Sequence, residues 1–486
     1  MTNTNVTRTA DVRLRAFALE LTKGCNLRCG YCYYADREQA YDPASRMSQD
    51  TAFRSVDLLL KDAASEETIH LHFFGGEPLL DFPLLKQTVL YGREQASLKG
   101  HPITFEVTTN GTRFTDEVIA FLNEHEFQVG VSFDGPPQTQ DAARPLKGGS
   151  SYQLALPGIQ SLLRSRQGTP LKDKTHCSVV FTRRDFRLLE IVQHLEDLGF
   201  SKIIVTPATD NRSNPFFAFG PADLPAVLAA YDRLAREYER RMLAGERVAE
   251  TWFPLLMGRL LSGERKTQFC EGGMDYLGVA ADGSMHLCYR FFESQEFGMG
   301  DVRNGVDRTL TRRLLEHSMD TRPVCSQCWA RHFCGGGCHH DNVMATGGLG
   351  TPNPVTCDIF RHSMSLTLEA WARLSRKGKI GGRRVHNDSP SRSEAPVFLD
   401  SDRPLKTPGC HVRDLGRERI VYEPNSHEVA VLNATASFIF ERCDGARTVA
   451  DLLGDLQKTF AAPADVLQRD LQRTLSDLRD RHLIST

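Results

Sequence analysis

Three cysteines fall on one short loop, Cys25-Asn-Leu-Arg-Cys29-Gly-Tyr-Cys32, directly after the apolar run LRAFALELT. Thiols placed just past a strand belong at the C-terminal edge of a sheet, where α/β folds put their chemistry. The following residues agree with such a fold. Between Arg13 and Asp210 the runs TIHLHFFGG, ITFEVTTNG, FQVGVSFDG, THCSVVFTR and KIIVTPATD alternate with amphipathic stretches such as DTAFRSVDLLLKDA and EVIAFLNEHE. Strands alternating with helices of this length predict βαβ units and a parallel sheet. About six units are countable, fewer than the eight of a closed β/α barrel.

The chain has 486 residues, enough for about two to four domains. Hydrophobic residues make up 40% and charged residues 25%, which excludes a wholly disordered chain, a collagen-like chain and a coiled-coil rod. Lys+Arg is 59 against Asp+Glu 61, a net charge of −2, which argues against a dedicated nucleic-acid binder. No apolar run of about 18 residues predicts a membrane span. Met1–Arg15 is polar and lacks the apolar core of a signal peptide. The expected location is therefore the cytoplasm, with no membrane partner. In a reducing compartment, 13 cysteines point to metal or catalysis rather than to a disulfide frame.

Composition divides the rest of the chain. Residues 13–225 form the strand–helix region, and 226–265 a helical connector; Pro221–Gly263 reads helical throughout. Residues 266–374 are Gly- and Cys-rich, with a hairpin predicted over LGVAADGSMHLCYR, turning at Asp282–Gly283, and a helix over Ser363–Leu374. Residues 375–396 are rich in Gly, Ser, Pro and Arg and read as a linker. Residues 397–486 form a small α+β domain: strands in HVRDLG, RIVYEP and EVAVLN, then helices with Asn433 or Thr435 and Thr448 as caps. The last helix, Asp465–Arg481, places Val466, Leu467, Leu471, Leu475 and Leu478 on one face.

The first cysteine group supplies three sulfurs, one short of a four-iron cluster. Zinc prefers four ligands in CxxC pairs, and no fourth Cys or His lies nearby. The CxxxCxxC loop with Tyr31 resembles the signature of the radical S-adenosylmethionine (SAM) enzymes. The resemblance implies that Cys25, Cys29 and Cys32 hold a [4Fe–4S] cluster whose open iron is chelated by SAM. Reduction then yields a 5′-deoxyadenosyl radical that removes hydrogen from an unactivated carbon. Further stretches extend the likeness. Gly75-Gly76-Glu77-Pro78 resembles the GGEP stretch at the SAM ammonium, and Thr108-Thr109-Asn110-Gly111 stands where the family holds the ribose, which implicates Thr109 and Asn110. Ser132-Phe133-Asp134-Gly135 resembles the SxDG stretch of peptide-modifying members, and Arg144 stands where those members reach the SAM carboxylate. Each stretch alone also reads as a turn; their order, each at a strand end, carries the likeness. It covers Arg13–Asp210 and implies a partial (β/α)6 barrel.

The second group comprises Cys270, Cys288, Cys325, Cys328, Cys334, Cys338 and Cys357. Taken alone, its CxxC at Cys325 and Cys328 also permits a structural zinc ribbon. Downstream of the first group it resembles a SPASM domain, which implies two auxiliary [4Fe–4S] clusters and three clusters in all. By that resemblance Cys325, Cys328, Cys334 and Cys357 hold the distal cluster, and Cys270, Cys288 and Cys338 the proximal one. One iron is left for a substrate thiolate or another ligand. His339 and His340 read as polar loop residues or donors to a cluster sulfur. Cys177 reads as core, and Cys410 and Cys443 as structural.

The last domain resembles PqqD-like modules, the recognition elements that bind leader peptides during ribosomal peptide modification. The resemblance implies that a leader adds a strand near RIVYEP or EVAVLN, beside the last helix. The whole reading is a SPASM-type radical SAM maturase. It modifies a ribosomally made peptide or small protein subunit and closes a thioether or a carbon–carbon or ether cross-link, with a flavodoxin or ferredoxin as electron donor. The rivals are a sulfatase-maturase-like formylglycine former, against which Tyr289 replaces the Asp those enzymes carry after the matching cysteine, and a non-catalytic metal-binding scaffold.

Overall fold

A computed structural model describes residues 12–34, 45–208, 215–380, 398–416 and 418–485. Most of the expected linker therefore lies outside the described residues, as does the start of the polar N-terminus. Six strands run parallel in chain order: β1 (Ala16–Thr22), β2 (Ile69–Gly75), β3 (Ile103–Thr109), β4 (Gln128–Ser132), β5 (Thr175–Phe181) and β6 (Ile203–Pro207). Between them run α1 (Gln49–Asp62), α2 (Phe82–Lys99), α3 (Asp116–Glu124), α4 (Pro137–Ala143), α5 (Ser151–Arg166) and α6 (Leu188–Asp197). The result is the expected α/β fold, a partial (β/α)6 barrel with no strand closing it among the described residues.

Strand alternation decides which side chains meet the helices. Leu71 and Phe73, Phe105 and Val107, and Cys177 and Val179 are buried in the main core. Cys177 is the core residue expected, fully buried. The intervening positions turn inward and are polar, among them His72, Glu106 and His176. Closed β/α barrels fill this space with branched apolar residues. Here it is left as a cavity.

The expected hairpin forms as β7 (Tyr276–Val279) and β8 (Ser284–His286), followed by β9 (Gly298–Asp301) and β10 (Gly305–Val306). One register could not be read from periodicity. β7 pairs parallel with β1, Ala16 opposite Tyr276, so barrel and Cys-rich region share one ten-stranded sheet. The helical connector also differs from expectation. It is two helices, α7 (Leu224–Ala244) and α8 (Trp252–Ser262), not one. Gly245 ends α7 in the left-handed conformation, φ 73°, and Glu250 bridges to Ile203 at the barrel edge before α8 begins. The helix expected over Ser363–Leu374 runs from Pro354 to Arg376 and packs along α7.

The last domain holds β11 (Leu405–Lys406), β12 (His411–Asp414), β13 (Arg419–Glu423), β14 (Glu428–Leu432) and β15 (Ile484–Ser485), with helices Ala434–Arg442, Val449–Thr459 and Ala464–Asp480. Asn433 caps the first helix, accepting from Ala436 N at 2.8 Å. β13 is the central strand of three. RIVYE therefore offers no free edge, which corrects one of the two expected docking strands; the edges are β12 and β14. One sheet face builds the domain's own core, with Val421, Leu432 and Leu475. Ile420, Tyr422 and Val429 on the other face join the main core, which contains the barrel.

Candidate active site

The cysteine loop is sewn to its neighbours by backbone. Gly76 N and Glu77 N donate to Thr22 O and Gly24 O, both at 2.8 Å, while Gly30 N donates to Ala143 O at 2.8 Å and Arg28 N to Pro145 O at 3.0 Å. The approach explains the paired glycines. A Cβ on Gly76 would lie 2.3 Å from Gly24 O, and Gly75 sits at φ +129° with Thr22 O 2.4 Å from its own would-be Cβ. Only glycine fits both positions.

Two buried carboxylates fix the site from behind. Glu77, fully buried, accepts from Thr109 Oγ1 at 2.7 Å, Asn110 N at 2.7 Å and Leu79 N at 3.1 Å. Burial raises its pKa, and the three donors counter that rise. Pro78 opens the short turn that follows. Asp134 takes Arg144 Nε at 2.9 Å and Nη2 at 3.3 Å, Val180 N at 3.0 Å, and the Tyr31 hydroxyl. Burial works against the charge on Arg144, but Asp134, Tyr31 and Cys29 together outweigh it and the guanidinium stays charged. Arg144 also lies over the Tyr31 ring, 5.3 Å from its centroid. Glu77, Pro78 and Asp134 therefore hold other groups in place. Gly75, Gly76, Thr109, Asn110, Ser132 and Arg144 line the cavity themselves.

Cys25, Cys29 and Cys32 all open onto this cavity, about 410 Å³ in volume. Asn110 Nδ2 stands 3.8 Å from Cys25 Sγ, and Arg144 Nη1 3.8 Å from Cys29 Sγ. Burial pushes the Cys25 thiol well up, and Cys29 and Glu77 push it further. A Cys25 thiol whose ionisation burial and its neighbours oppose, with one donor aimed at each of Cys25 and Cys29, suits a thiolate-bound cluster, because bound metal reverses that penalty.

The second group gathers as two sets. Burial pushes the Cys357 thiol up to about 12, helped by Cys334, Cys325 and Cys328. Burial also pushes up Cys288, helped by Cys338 and Cys270. Arg290 links this second set to the cavity: it lines the cavity and reaches Cys338 Sγ at 3.5 Å and Asp341 at 2.6 Å. His339 and His340 do not lie on a loop. They open the helix His339–Thr346 and are each 4% exposed, with His340 packed between Tyr33 and Phe291.

Several cavity residues had no motif to announce them. Tyr33, His72, Phe74, Glu106, His176 and Tyr289 line it. For His72, Glu106 and His176 the signal lay in alternation, with polar side chains at alternate places in IHLHFFG, ITFEVTT and THCSVVF. Glu20 is another. It is buried on β1 and accepts from Tyr34 OH at 2.7 Å and Ala281 N at 3.0 Å, tying the cysteine loop to the hairpin.

The family model described as Radical SAM superfamily matches residues 19–195, and that of Coenzyme PQQ synthesis protein D (PqqD) matches residues 418–484. The cysteine-type anaerobic sulfatase-maturating enzyme of Clostridium novyi (strain NT) is 22% identical over 360 residues, 70% of this chain and 91% of that protein. Among solved structures, native anSMEcpe with bound AdoMet is similar at a TM-score of 0.63 with 19% identity, covering 74% of this chain and 99% of that one. Streptococcus suis SuiB bound to precursor peptide SuiA is similar at 0.50 with 14% identity, covering 71% of this chain and 76% of that one. These structures share the fold.

Proposed function

From a chain that carries a radical SAM domain and a PqqD domain, we propose an enzyme that modifies the core of a ribosomally made precursor peptide and closes a thioether or a carbon–carbon or ether cross-link in it. The carrying observation is the three-thiol cavity in a chain that also has a PqqD domain. Cys25, Cys29 and Cys32 would hold the SAM-binding [4Fe–4S] cluster. Cys325, Cys328, Cys334 and Cys357 would hold the distal auxiliary cluster, and Cys270, Cys288 and Cys338 the proximal one. SAM bound at the first cluster supplies hydrogen-atom abstraction from an unactivated carbon.

The protein's own groups do the placing. Arg144, aimed by Asp134, offers a charged donor to the SAM carboxylate. The Gly75–Gly76 backbone, Thr109, Asn110 and Ser132 border the rest of the cofactor. Tyr33, Phe74 and Tyr289 wall the cavity with rings and exclude water from the reacting carbon. The leader would add a strand to the β14 edge of the PqqD domain, and a flavodoxin or ferredoxin would deliver electrons.

The test is anaerobic reconstitution of the full chain with iron and sulfide, then SAM and dithionite. 5′-Deoxyadenosine should form, and the peptide encoded beside the enzyme should lose two hydrogens per event. A metal-binding scaffold yields no 5′-deoxyadenosine. The likeness to sulfatase-maturating enzymes favours one second reading, formylglycine formation. A sulfatase-motif peptide converted while the neighbouring peptide stays unchanged would select it.

A further inference from the structure

The cavity does not end at the cysteines; it continues below them into the barrel, where the charges are segregated. Lys23, Arg28, Arg144 and Arg290 line it near the thiol-bearing loops, whereas Glu106 is the one carboxylate among the described residues that line it. Glu106 sits on β3 directly opposite His72 of β2, and its Oε2 lies 3.2 Å from His70 Nε2. His72 Nε2 is fixed 2.9 Å from Thr108 Oγ1. His176 completes the floor from β5, and the space for it is made by Gly130 opposite, where a Cβ would lie 2.8 Å from His176 Nε2.

The floor is electrically negative. Burial works against the charge on Glu106, and the histidines around it, His72, His70 and His176, pull its pKa down. Burial lowers His72 and His176 in turn, with Glu106 working against that. Glu106 is half-buried and its ion pair is with His70, not with a Lys or Arg, so a permanent cation in the cavity would stabilise it further. No mechanistic step above uses it. Above it, Phe74 and Tyr289 pack ring to ring with centroids 4.2 Å apart, an apolar wall beside the descent.

We propose that this floor is a specificity pocket for a basic side chain of the substrate peptide, a lysine whose stem lies against Phe74 and Tyr289 and whose ammonium meets Glu106. An ammonium donates without accepting and brings a permanent positive charge, so it matches an acceptor-only carboxylate whose other neighbours are imidazoles. The inference rests on the peptide-modifying reading of the same cavity.

Isothermal titration tests it on the anaerobically reconstituted full chain with SAM bound, using the pentapeptides acetyl-Gly-Gly-X-Gly-Gly-amide. With X as lysine, binding should be about tenfold tighter than with X as norleucine, which keeps the stem and drops the charge. Glu106→Gln should bring the lysine peptide to the norleucine level, with iron content and thermal unfolding reporting that the variant is folded. The wild-type comparison needs no variant at all. Equal affinities, or no measurable binding of either peptide, would overturn the pocket. So would a Glu106→Gln protein that keeps its lysine preference and loses only affinity for SAM, since that assigns the carboxylate to the sulfonium. Failure of the broader reading is separate, because wild-type enzyme would then release no 5′-deoxyadenosine from SAM and dithionite.

Discussion

Cys25, Cys29 and Cys32 hang from the end of β1 and are braced by carboxylates buried in the sheet, Glu77 at 0% and Asp134 at 1% exposure. Cys325, Cys328 and Cys334 lie on short helical turns braced by glycines and by a neighbouring domain. Gly335, Gly336 and Gly337 all take positive φ, and a Cβ on Gly335 would lie 2.4 Å from Gln268 O. Trp329, next to Cys328, stacks on His411 of β12 with centroids 3.7 Å apart, and Phe333, next to Cys334, packs on Tyr422 of β13. Arg331 and Arg265 both reach Asn425 in the β13–β14 turn. The first region takes its bracing carboxylates from the barrel itself, with the hairpin tied on through Glu20. The second takes part of its support from the PqqD domain, so a peptide docking there acts on an element that packs against cysteine-bearing turns.

The sharpest way to break this contrast is to remove one thiol from each region. Cys29→Ala should abolish 5′-deoxyadenosine formation, because the SAM-binding cluster loses a ligand. Cys328→Ala should leave uncoupled SAM cleavage measurable while peptide modification fails, and its iron content should fall below the approximately twelve per chain that the three four-iron clusters proposed above would require. Equal loss of SAM cleavage in both variants would mean that the two regions are not separable.

Asp134→Asn probes the carboxylate brace itself. It leaves Arg144 buried with its charge uncompensated, and breaking a buried pair from one side costs about 3–5 kcal/mol. Thermal unfolding should drop accordingly, and SAM affinity with it, since Arg144 loses its orientation. An unchanged melting temperature would show that Asp134 is not the brace.

Acid should open the second region first. Burial holds His411 and His427 down to about 4 from an ordinary 6.5, and both rings lie between the PqqD domain and the catalytic body. The sign follows from linkage: a depressed imidazole contributes stability above its unfolded pKa and loses it as pH falls through the folded one. Between about pH 6.5 and 4 the interface should loosen. Hydrogen exchange in β12 and β13 should rise over that window before exchange in β1 and β2 does; simultaneous loss of protection would count against the asymmetry.

These differences track what could be read without the fold. The barrel region was legible because strand ends, turn residues and the cysteine loop repeat in a fixed order, and each strand lies beside the next in sequence. Even there, Glu20, His72 and Glu106 went unremarked, since an inward polar residue on a strand looks the same in sequence as one facing water. In the second region the division of the seven cysteines into two sets rests on the resemblance to a SPASM domain, because their spacing alone also permits a zinc ribbon. The β1–β7 pairing, however, joins Ala16 to Tyr276, a contact that no local pattern encodes. The choice between β13 and β14 as the free edge likewise needs the register of β12, which packs against the body through Arg413 and Glu369 at 2.6 Å.

Trp329→Ala should separate support from ligation. It removes a stacked pair worth about 1 kcal/mol beyond its buried area, without touching a thiol. Protease sensitivity of the PqqD domain should increase while iron content holds. A fall in iron instead would show that metal retention itself depends on the stacked pair.

The smallest effect should come from the cap of the helix Val449–Thr459. Thr448 Oγ1 accepts from Asp451 N at 3.1 Å, and Asp451 Oδ2 accepts from Thr448 N at 2.9 Å, a reciprocal box at an exposed helix start. Thr448→Ala should cost about 1 kcal/mol, and it lies in the half of the PqqD domain that has its own core rather than in the face shared with the body. If the domain unfolds independently, calorimetry should show one early transition moving down while the barrel's transition stays in place. If Ile420, Tyr422 and Val429 bind the domain to the body strongly enough to unfold with it, a single transition should shift by a fraction of that amount. The second outcome would extend the support of the auxiliary cysteines from the contact at β12 to the whole PqqD domain.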